Sequence, residues 1–375
     1  MKVLVTGANG FFGKNLGRHL AERDDIELVP YTRTNQLEQL PGMLHEVDFV
    51  FHLAGVNRPQ DPAEFISGNI DLTVALCQGL ADVALTSGRK VPVVFSSSTQ
   101  AALDNSYGAS KRAAEDCLFT LNREHGVPVY VLRLPNVFGK WCRPNYNSVV
   151  ATFCYNISRG LPIHVKDPQA ALTLVYIDNV IERFVQLMDG AALMLGDDGF
   201  VTVQPQEVIT VGELARLIRT FHESRKSLMT ERVGTGLMRA LYATYVSYLP
   251  VEAFIYDLPC HSDYRGVFVE MLKTPDCGQF SFFTILHGLT RGGHYHHSKT
   301  EKFLVIKGLA LFQFRHVETG QEHKLETSGC MPQVVETVPG WTHDITNIGE
   351  DELIVMLWAN EIFDSKRPDT FDCPL

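Results

Sequence analysis

The C-terminal part of the chain carries histidine and carboxylate side chains at a spacing typical of a metal site. His294 and His296 are separated by one residue, Glu301 follows, and His343 lies further along the chain. In an extended strand, residues i and i+2 point to the same face, so the first two imidazoles can point inward together. Imidazole with one carboxylate suits zinc, and it also suits iron, manganese and nickel. The sequence therefore predicts a divalent-metal site, with zinc preferred, formed by His294, His296, Glu301 and His343.

Near the N-terminus, glycines recur between an apolar strand and a helix. Gly7, Gly10 and Gly13 follow the run Lys2 to Thr6 and open a stretch with apolar residues at helical spacing. Glycine there permits a tight turn and a close approach of the backbone to a pyrophosphate. The helix N-terminus offers free amides to the phosphates. The residues predicted to line this dinucleotide site are Gly7, Asn9, Gly10, Phe11, Phe12 and Gly13.

The end of the second strand indicates which dinucleotide is bound. A site that prefers NAD usually places an acidic residue there, whereas this chain reads Pro30-Tyr31-Thr32-Arg33. A guanidinium pairs well with a 2'-phosphate, so Arg33 favours NADPH. The alternative is that Arg33 is a solvated loop residue.

Tyr107 and Lys111 are four residues apart and share one face of a predicted helix. In that position the ammonium can lower the pKa of the phenol and relay a proton. Ser98, at the end of the fourth strand, completes a set that can donate a proton. A single pair with this spacing is also common on exposed helices.

These groups need elements that hold them in place. Apolar strands alternate with helices in the first half, which predicts a doubly wound parallel sheet. The strands are predicted at Lys2 to Thr6, Ile26 to Tyr31, Phe49 to Leu53, Val91 to Ser96 and Val129 to Leu134. Thr210 and Glu213 predict the start of a further helix.

The second half has a different pattern. From Asp263 onward, short aromatic and β-branched runs without helices predict an antiparallel sandwich or barrel. The expected fold is an α/β doubly wound Rossmann domain over residues 1–245, followed by an all-β jelly-roll domain over residues 246–375.

Composition excludes some classes of function. A chain of 375 residues with a net charge of -10 supports two globular domains and argues against nucleic-acid binding. Its eight cysteines show no paired spacing, so neither a zinc ribbon nor a disulfide framework is predicted. The chain opens into a strand, and no apolar run reaches the roughly 18 residues of a membrane span. We therefore expect a cytoplasmic protein without membrane or nucleic-acid partners.

The N-terminal motifs resemble the extended short-chain dehydrogenase/reductase family over about residues 1 to 245. They are the Gly7 turn, Phe51-His52-Leu53-Ala54-Gly55, Phe95-Ser96-Ser97-Ser98, Tyr107 to Lys111, and Arg133-Leu134-Pro135-Asn136-Val137-Phe138-Gly139. The resemblance implies hydride transfer to a ketone, with Tyr107 as proton donor and Ser98 on the carbonyl oxygen. It also implies that Lys111, Leu53, Ala54 and Gly55 contact the cofactor. The interval from Ser98 to Tyr107 is shorter than usual for the family, so Ser97 and Thr99 stay open as alternatives.

The C-terminal motifs resemble the cupin family, which implies His343 as the fourth ligand. The first motif, from Gly288 to Gly308, matches at every position, and the second, from Pro339 to Asn347, lacks one residue. Further residues resemble the cupin-type epimerases of nucleotide-activated deoxysugars, and Arg265 and Arg291 are candidates to bind a diphosphate. Lys302 and His297 are candidates for an epimerase base, although an ordinary surface role is open for each.

The two halves together resemble the bifunctional capsular-polysaccharide enzymes of the UDP-N-acetyl-L-fucosamine pathway. That resemblance implies a UDP-activated 4-keto-6-deoxy amino sugar as substrate, epimerisation at carbon 3, reduction at carbon 4 with NADPH, and a homodimer. Alternatives are a reductase with a non-catalytic cupin for dimerisation or docking, a redox-sensing regulator, and a dioxygenase fused to a reductase.

Overall fold

The computed structural model describes residues 1–59, 61, 63–192, 194–196, 199–258, 260–263, 266–269, 272, 279–361 and 366–375. Side chains are described throughout these ranges except at 260–263, 266–269 and 279–281.

The elements follow one another in two blocks, a mixed α/β block and then a block of strands. The strands are β1 Lys2–Thr6, β2 Glu27–Tyr31, β3 Phe49–His52, β4 Val93–Ser98, β5 Val129–Leu134, β6 Asn136–Phe138, β7 Ala171–Tyr176, β8 Glu207–Thr210, β9 Ile255–Asp257, β10 Cys260–Asp263, β11 Gly266–Val269, β12 Gln279–Ile285, β13 Thr290–Tyr295, β14 Glu301–Lys307, β15 Leu309–His316, β16 Glu322–Ser328, β17 Gln333–Glu336, β18 Trp341–Asn347, β19 Leu353–Ala359 and β20 Phe371–Asp372. The α-helices are α1 Phe11–Ala21, α2 Leu40–Glu46, α3 Leu72–Ser87, α4 Ser106–His125, α5 Val149–Ser158, α6 Ile177–Met188, α7 Val211–Ser227 and α8 Gly236–Ser247. Short 3₁₀ turns occur at Leu37–Gln39, Thr99–Ala102 and Val251–Phe254, and a π turn at Ile66–Asp71 leads into α3.

The N-terminal sheet is parallel, with strand order β2-β1-β3-β4-β5. Along β1, Val3 and Val5 pack with α1 and α6, whereas Leu4 packs on the other face with α2, α3 and α4. Helices thus cover both faces, and the predicted doubly wound fold is confirmed. The strand order reverses beside β1, so the carboxyl ends of β1 and β3 form the crevice where such folds bind ligands.

Helix α3 is apolar on most of its surface. Among the described residues, the stretch Ile66–Ser87 is long and apolar enough to span a bilayer by length and composition. Leu76, Leu80 and Val83 are nevertheless buried in the cluster that contains Leu4 and Leu118. This helix is therefore part of the core beneath the parallel sheet.

The C-terminal strands form two five-stranded sheets with orders β12-β19-β14-β17-β9 and β16-β15-β18-β13-β20. All their pairings are antiparallel. Phe303 of the first sheet packs on Phe312 of the second, with ring centroids 5.6 Å apart. The predicted jelly-roll architecture is confirmed.

A buried cluster of charged side chains connects helix α7 to the sheet that contains β14 and β17. Lys302 on β14 and Arg225 on α7 both donate hydrogen bonds to the Glu336 carboxylate on β17. Lys302 and Glu336 are nearly inaccessible to solvent, with side chains 3% and 4% exposed. Burial would raise the pKa of Glu336, but the two cations hold it below its usual value.

Contacts along the chain divide it into two compact units. One comprises Met1–Ser148 and Leu172–Val208, and the other comprises Val149–Ala171 and Ile209–Leu375. Helices α5, α7 and α8 thus group with the C-terminal strands in this division, although they lie wholly or mostly within residues 1–245. The predicted domain limits, 1–245 and 246–375, were set by how far the resemblances to the reductase and cupin families extend. They stay a prediction.

We predict that Glu336→Gln destabilises the C-terminal unit by about 3–5 kcal/mol, because two buried cations then lack their anion. Thermal and urea unfolding of the full chain measure this loss. Glu350→Gln, an exposed change of the same kind, serves as control and should stay within about 0.5 kcal/mol of the unmodified protein. Equal stability of the two variants would contradict a buried ion cluster.

Candidate functional site

The glycine turn after β1 is shaped by close backbone contacts. Gly7 has a φ of +68°, and a Cβ added there would lie 2.8 Å from the backbone of Ala54. A Cβ on Gly13 would lie 2.3 Å from the Gly7 carbonyl oxygen. Side chains at these two positions would therefore push β1, α1 and the end of β3 apart.

Helix α1 begins after Gly10 and leaves its first amides free to meet an anion. Asn9 and Gly10 are exposed at this turn, and Phe11 and Phe12 are half-buried. The Phe12 ring also lies 6.5 Å from that of Phe184, centroid to centroid, so it is anchored in the core.

The ends of two neighbouring strands flank this turn. The Gly7 amide donates to the Tyr31 carbonyl at 2.9 Å, which places the end of β2 beside it, and Arg33 is exposed two residues further on. At the end of β3, the amides of Leu53 and Ala54 donate to the Thr6 hydroxyl at 3.1 and 3.2 Å.

Ser98 and Tyr107 meet in the structure. Burial raises the pKa of the Tyr107 phenol, and the neighbouring Ser98 hydroxyl lowers it. Of the two alternatives, Ser97 instead donates to the buried carboxylate of Glu115, and Thr99 is exposed. The geometry therefore pairs Ser98, and neither neighbour, with the phenol.

Lys111 is buried one turn further along α4. Its ammonium donates to the Ser96 carbonyl at 2.9 Å and lies 4.6 Å from the centroid of the Phe95 ring. Burial lowers the pKa of Lys111 to about 8, against the opposing charge of Glu115. A Cβ on Gly55 would come within 3.2 Å of this ammonium, so Lys111 reaches the end of β3.

Two polar residues at this site were missed by the sequence reasoning. Asn69 bonds both backbone groups of Val56 and donates to the Ser110 hydroxyl at 2.9 Å. His52 is fully buried between the hydroxyls of Thr6 and Thr73, each at 2.8 Å, and burial together with Lys111 lowers its pKa to about 3. The sequence around Asn69 does not indicate what its amide contacts, because other polar residues, Ser67 and Asp71, lie in the same turn.

The predicted metal ligands converge in the C-terminal unit. One ligand atom from each of His294, His296, Glu301 and His343 can be chosen so that all lie within 4.8 Å of one another. His294 is paired directly with His343 between β13 and β18, and Glu301 comes from β14 of the facing sheet. A bulge between Gly292 and His294 shifts the register and sets the direction of the first imidazole.

The donor set fits a divalent metal. Glu301 Oε2 lies 3.1 Å from His296 Nε2 and 3.5 Å from His343 Nε2. These separations are close to the roughly 3.3 Å between neighbouring ligands of a tetrahedral zinc ion with bonds of about 2.0 Å. Burial lowers the pKa of His294 to about 3, and it would raise that of Glu301, which His296 and His343 hold well below its usual value. Burial also lowers the pKa of His343. These shifts favour neutral His294 and His343 beside an ionised Glu301, which are the protonation states that a metal requires.

The other C-terminal candidates lie outside this cluster. Lys302 faces the opposite side of β14 from Glu301, and its partner Glu336 raises its pKa against the effect of burial. His297 packs on Phe371, with ring centroids 4.8 Å apart. Arg291 is exposed beside Phe283, and Arg265 lies outside the described residues.

The N-terminal unit has a dinucleotide-type crevice with a Ser-Tyr-Lys set, and the C-terminal strands carry a His/Glu cluster that could hold a metal ion. These features are typical of a nicotinamide-dependent oxidoreductase fused to a β barrel. Residues 3–192 match the NAD dependent epimerase/dehydratase family, and residues 261–371 match the polysaccharide biosynthesis C-terminal domain. The chain belongs to the NAD dependent epimerase/dehydratase family and carries that second domain.

Relatives extend over the whole chain. A Pseudomonas aeruginosa protein named UDP-2-acetamido-2,6-beta-L-arabino-hexul-4-ose reductase is 59% identical over 100% of this chain and 98% of its own. The crystal structure of the capsular polysaccharide assembling protein CapF from Staphylococcus aureus covers 100% of both chains at 39% identity, with a TM-score of 0.67. A structure of CapF with the inhibitor 3-isopropenyl-tropolone aligns at 35% identity over 100% of both chains, with a TM-score of 0.64. These similarities confirm the class of enzyme predicted from the sequence and its nicotinamide cofactor.

We predict that Gly13→Ala weakens nicotinamide dinucleotide binding by about tenfold or more, because the added methyl forces α1 away from the Gly7 carbonyl. Fluorescence titration with NADPH measures the affinity. Gly42→Ala is the matched control, since a Cβ there meets nothing within 4 Å. If both variants bind equally well, the crevice at this turn does not hold the cofactor.

Proposed function

We propose that the chain is a bifunctional nucleotide-sugar enzyme. The reductase half reduces the 4-keto group of a UDP-2-acetamido-2,6-dideoxy-hexos-4-ulose, and the barrel half epimerises carbon 3, towards UDP-N-acetyl-L-fucosamine for capsule or O-antigen synthesis. The observation that carries this proposal is the 59% identity over the full length to a protein named as a reductase of such a UDP-hexulose.

For the reduction, the Ser98, Tyr107 and Lys111 set supplies what a ketone needs. NADPH, when bound, supplies the hydride that adds to carbon 4. Tyr107 donates its phenolic proton to the carbonyl oxygen, and Ser98, which lies beside Tyr107, holds that oxygen. Lys111 lies one helical turn from Tyr107 and is buried, so its positive charge would stabilise the phenolate left after the transfer.

For the epimerisation, a 4-ketone acidifies the proton on the neighbouring carbon 3. A divalent metal at His294, His296, Glu301 and His343 would supply the positive charge that stabilises an enediolate oxygen. These residues would hold that charge among mostly buried side chains, where electrostatic stabilisation is stronger than in water. Zinc is our proposal for the ion.

The chemistry fixes the order of the two steps. Epimerisation requires the ketone, and reduction removes it, so the barrel acts first. An exposed Arg33 at the end of β2 supports NADPH over NADH. We further propose a homodimer in the cytoplasm, where NADPH and nucleotide sugars are both available.

The pKa of Lys111 predicts how reduction depends on pH. The ammonium is charged below about pH 8 and neutral above it, so the rate of reduction should fall as the pH rises through about 8. In Lys111→Arg the charge persists to much higher pH, and the fall should move upward. Steady-state rates between pH 6 and 10 measure this, with the exposed Lys90→Arg as control. If Lys111→Arg is active and its rate falls over the same pH range as that of the unmodified protein, a group other than Lys111 causes the fall.

The division of labour is tested by proton exchange. The UDP-4-keto sugar is incubated in deuterated water without NADPH, and deuterium at carbon 3 is followed by nuclear magnetic resonance. The unmodified protein and Tyr107→Phe should both introduce deuterium, whereas His294→Ala should not exceed the rate without protein. With NADPH added, Tyr107→Phe should lose most of its reduction rate. Absence of exchange with the unmodified protein would leave a reductase with a non-catalytic barrel.

A further inference from the structure

The C-terminal segment, residues 366–375, lies against the strand that carries the first metal ligand. Its strand β20 pairs with β13, placing Asp372 opposite His294 and Phe371 opposite Tyr295. The Cys373 amide donates to the Gly293 carbonyl at 2.8 Å. Residues distant in sequence from the histidine pair thus complete the sheet beside them.

Asp369 in this segment holds the turn that follows His296. Its carboxylate accepts the backbone amides of His297, Ser298 and Lys299 at 2.8, 2.8 and 2.7 Å. It also accepts the Ser298 hydroxyl at 2.9 Å. A carboxylate that receives several hydrogen bonds of this kind fixes the backbone conformation of the turn.

The backbone of Asp369 also acts directly on a predicted ligand. His296 Nδ1 lies 2.6 Å from the Asp369 carbonyl oxygen. A carbonyl can only accept, so Nδ1 carries a proton and Nε2 is the ring nitrogen left to bind a metal. Nε2 is the atom that faces Glu301.

Thr370 reaches a second ligand through Lys299. The Lys299 ammonium lies 3.1 Å from the Thr370 hydroxyl and 3.1 Å from Glu301 Oε1. Glu301 therefore presents its other oxygen, Oε2, to the imidazoles. Consecutive residues of the C-terminal segment thus fix His296 and Glu301.

We propose that the C-terminal segment, through Asp369, is the positioning element of the metal site and that its removal weakens metal binding. This inference rests on the proposed metal site. Asp369 selects the tautomer of His296 and the conformation of the turn from His297 to Lys299, and Thr370 orients Glu301 through Lys299. Ordering of the segment and binding of the ion are then thermodynamically coupled.

The test compares zinc affinities of full-length variants by competition with a chromophoric chelator at fixed pH. Asp369→Ala should lose about 10- to 100-fold in affinity, as changes in the groups that orient metal ligands do. Asp369→Asn should recover part of the loss, because its amide oxygen still accepts backbone amides. Thr370→Val should lose a smaller factor. Asp372→Asn, which removes an exposed carboxylate from the same segment, should bind zinc like the unmodified protein.

Two further measurements separate positioning from folding. Thermal unfolding of each metal-free variant shows whether it is folded, and limited proteolysis with and without zinc shows whether the ion protects the segment. Zinc should slow cleavage of the segment in the unmodified protein and much less in Thr370→Val. Folded variants that bind zinc as tightly as the unmodified protein would overturn the positioning role. An unmodified protein that binds no divalent metal would instead remove the metal site itself.

Discussion

The C-terminal half depends on one constraint: a carboxylate that is buried inside the β sandwich must stay ionised. Burial by itself would raise the pKa of Glu301 and so favour its protonated form, which does not hold a metal. The fold meets this constraint with imidazoles on one side of the carboxylate and the Lys299 ammonium on the other. The long separation between His343 and the first histidine pair follows from this need, because only a neighbouring strand brings a further imidazole to the same face.

Side chains alternate between the two faces of a strand, so the residue next to the buried carboxylate lies on the outside of the barrel and is a second buried charge. Glu301 and Lys302 are consecutive, so one points between the sheets and the other points toward the helices. Lys302 is buried there as well, and Glu336 with Arg225 of α7 forms its counter-charge. The helical layer is thus attached to the barrel by a charge cluster that begins one residue from the metal site. This attachment explains why α7 and α8 group with the strands although they follow the dinucleotide-binding region in sequence.

The parts that were predictable from sequence have local signals. Three patterns each predict a conformation from only a few neighbouring residues: glycines at the first turn, apolar parallel strands, and histidines at strand spacing. The structure has all of them. What was missed depends on contacts over long intervals. Asn69 matters through its bonds to Val56 and Ser110, and Asp369 through a turn seventy residues earlier in the chain. Neither residue has a neighbour in sequence that reveals its partner. The contact between α7 and the barrel also has no local signal, since the Arg225 to Glu336 pair spans 111 positions.

The position of Asp369 has a consequence for biosynthesis. It lies 73 positions after His296, and ribosomes add about 5–20 residues per second. Several seconds therefore separate synthesis of the first ligands from synthesis of the residues that orient them. During that interval His296 is present without its hydrogen-bond partner, the Asp369 carbonyl, so a nascent chain has ligands but not the finished arrangement. The oriented set of ligands therefore forms only after Asp369 and Thr370 have been synthesised.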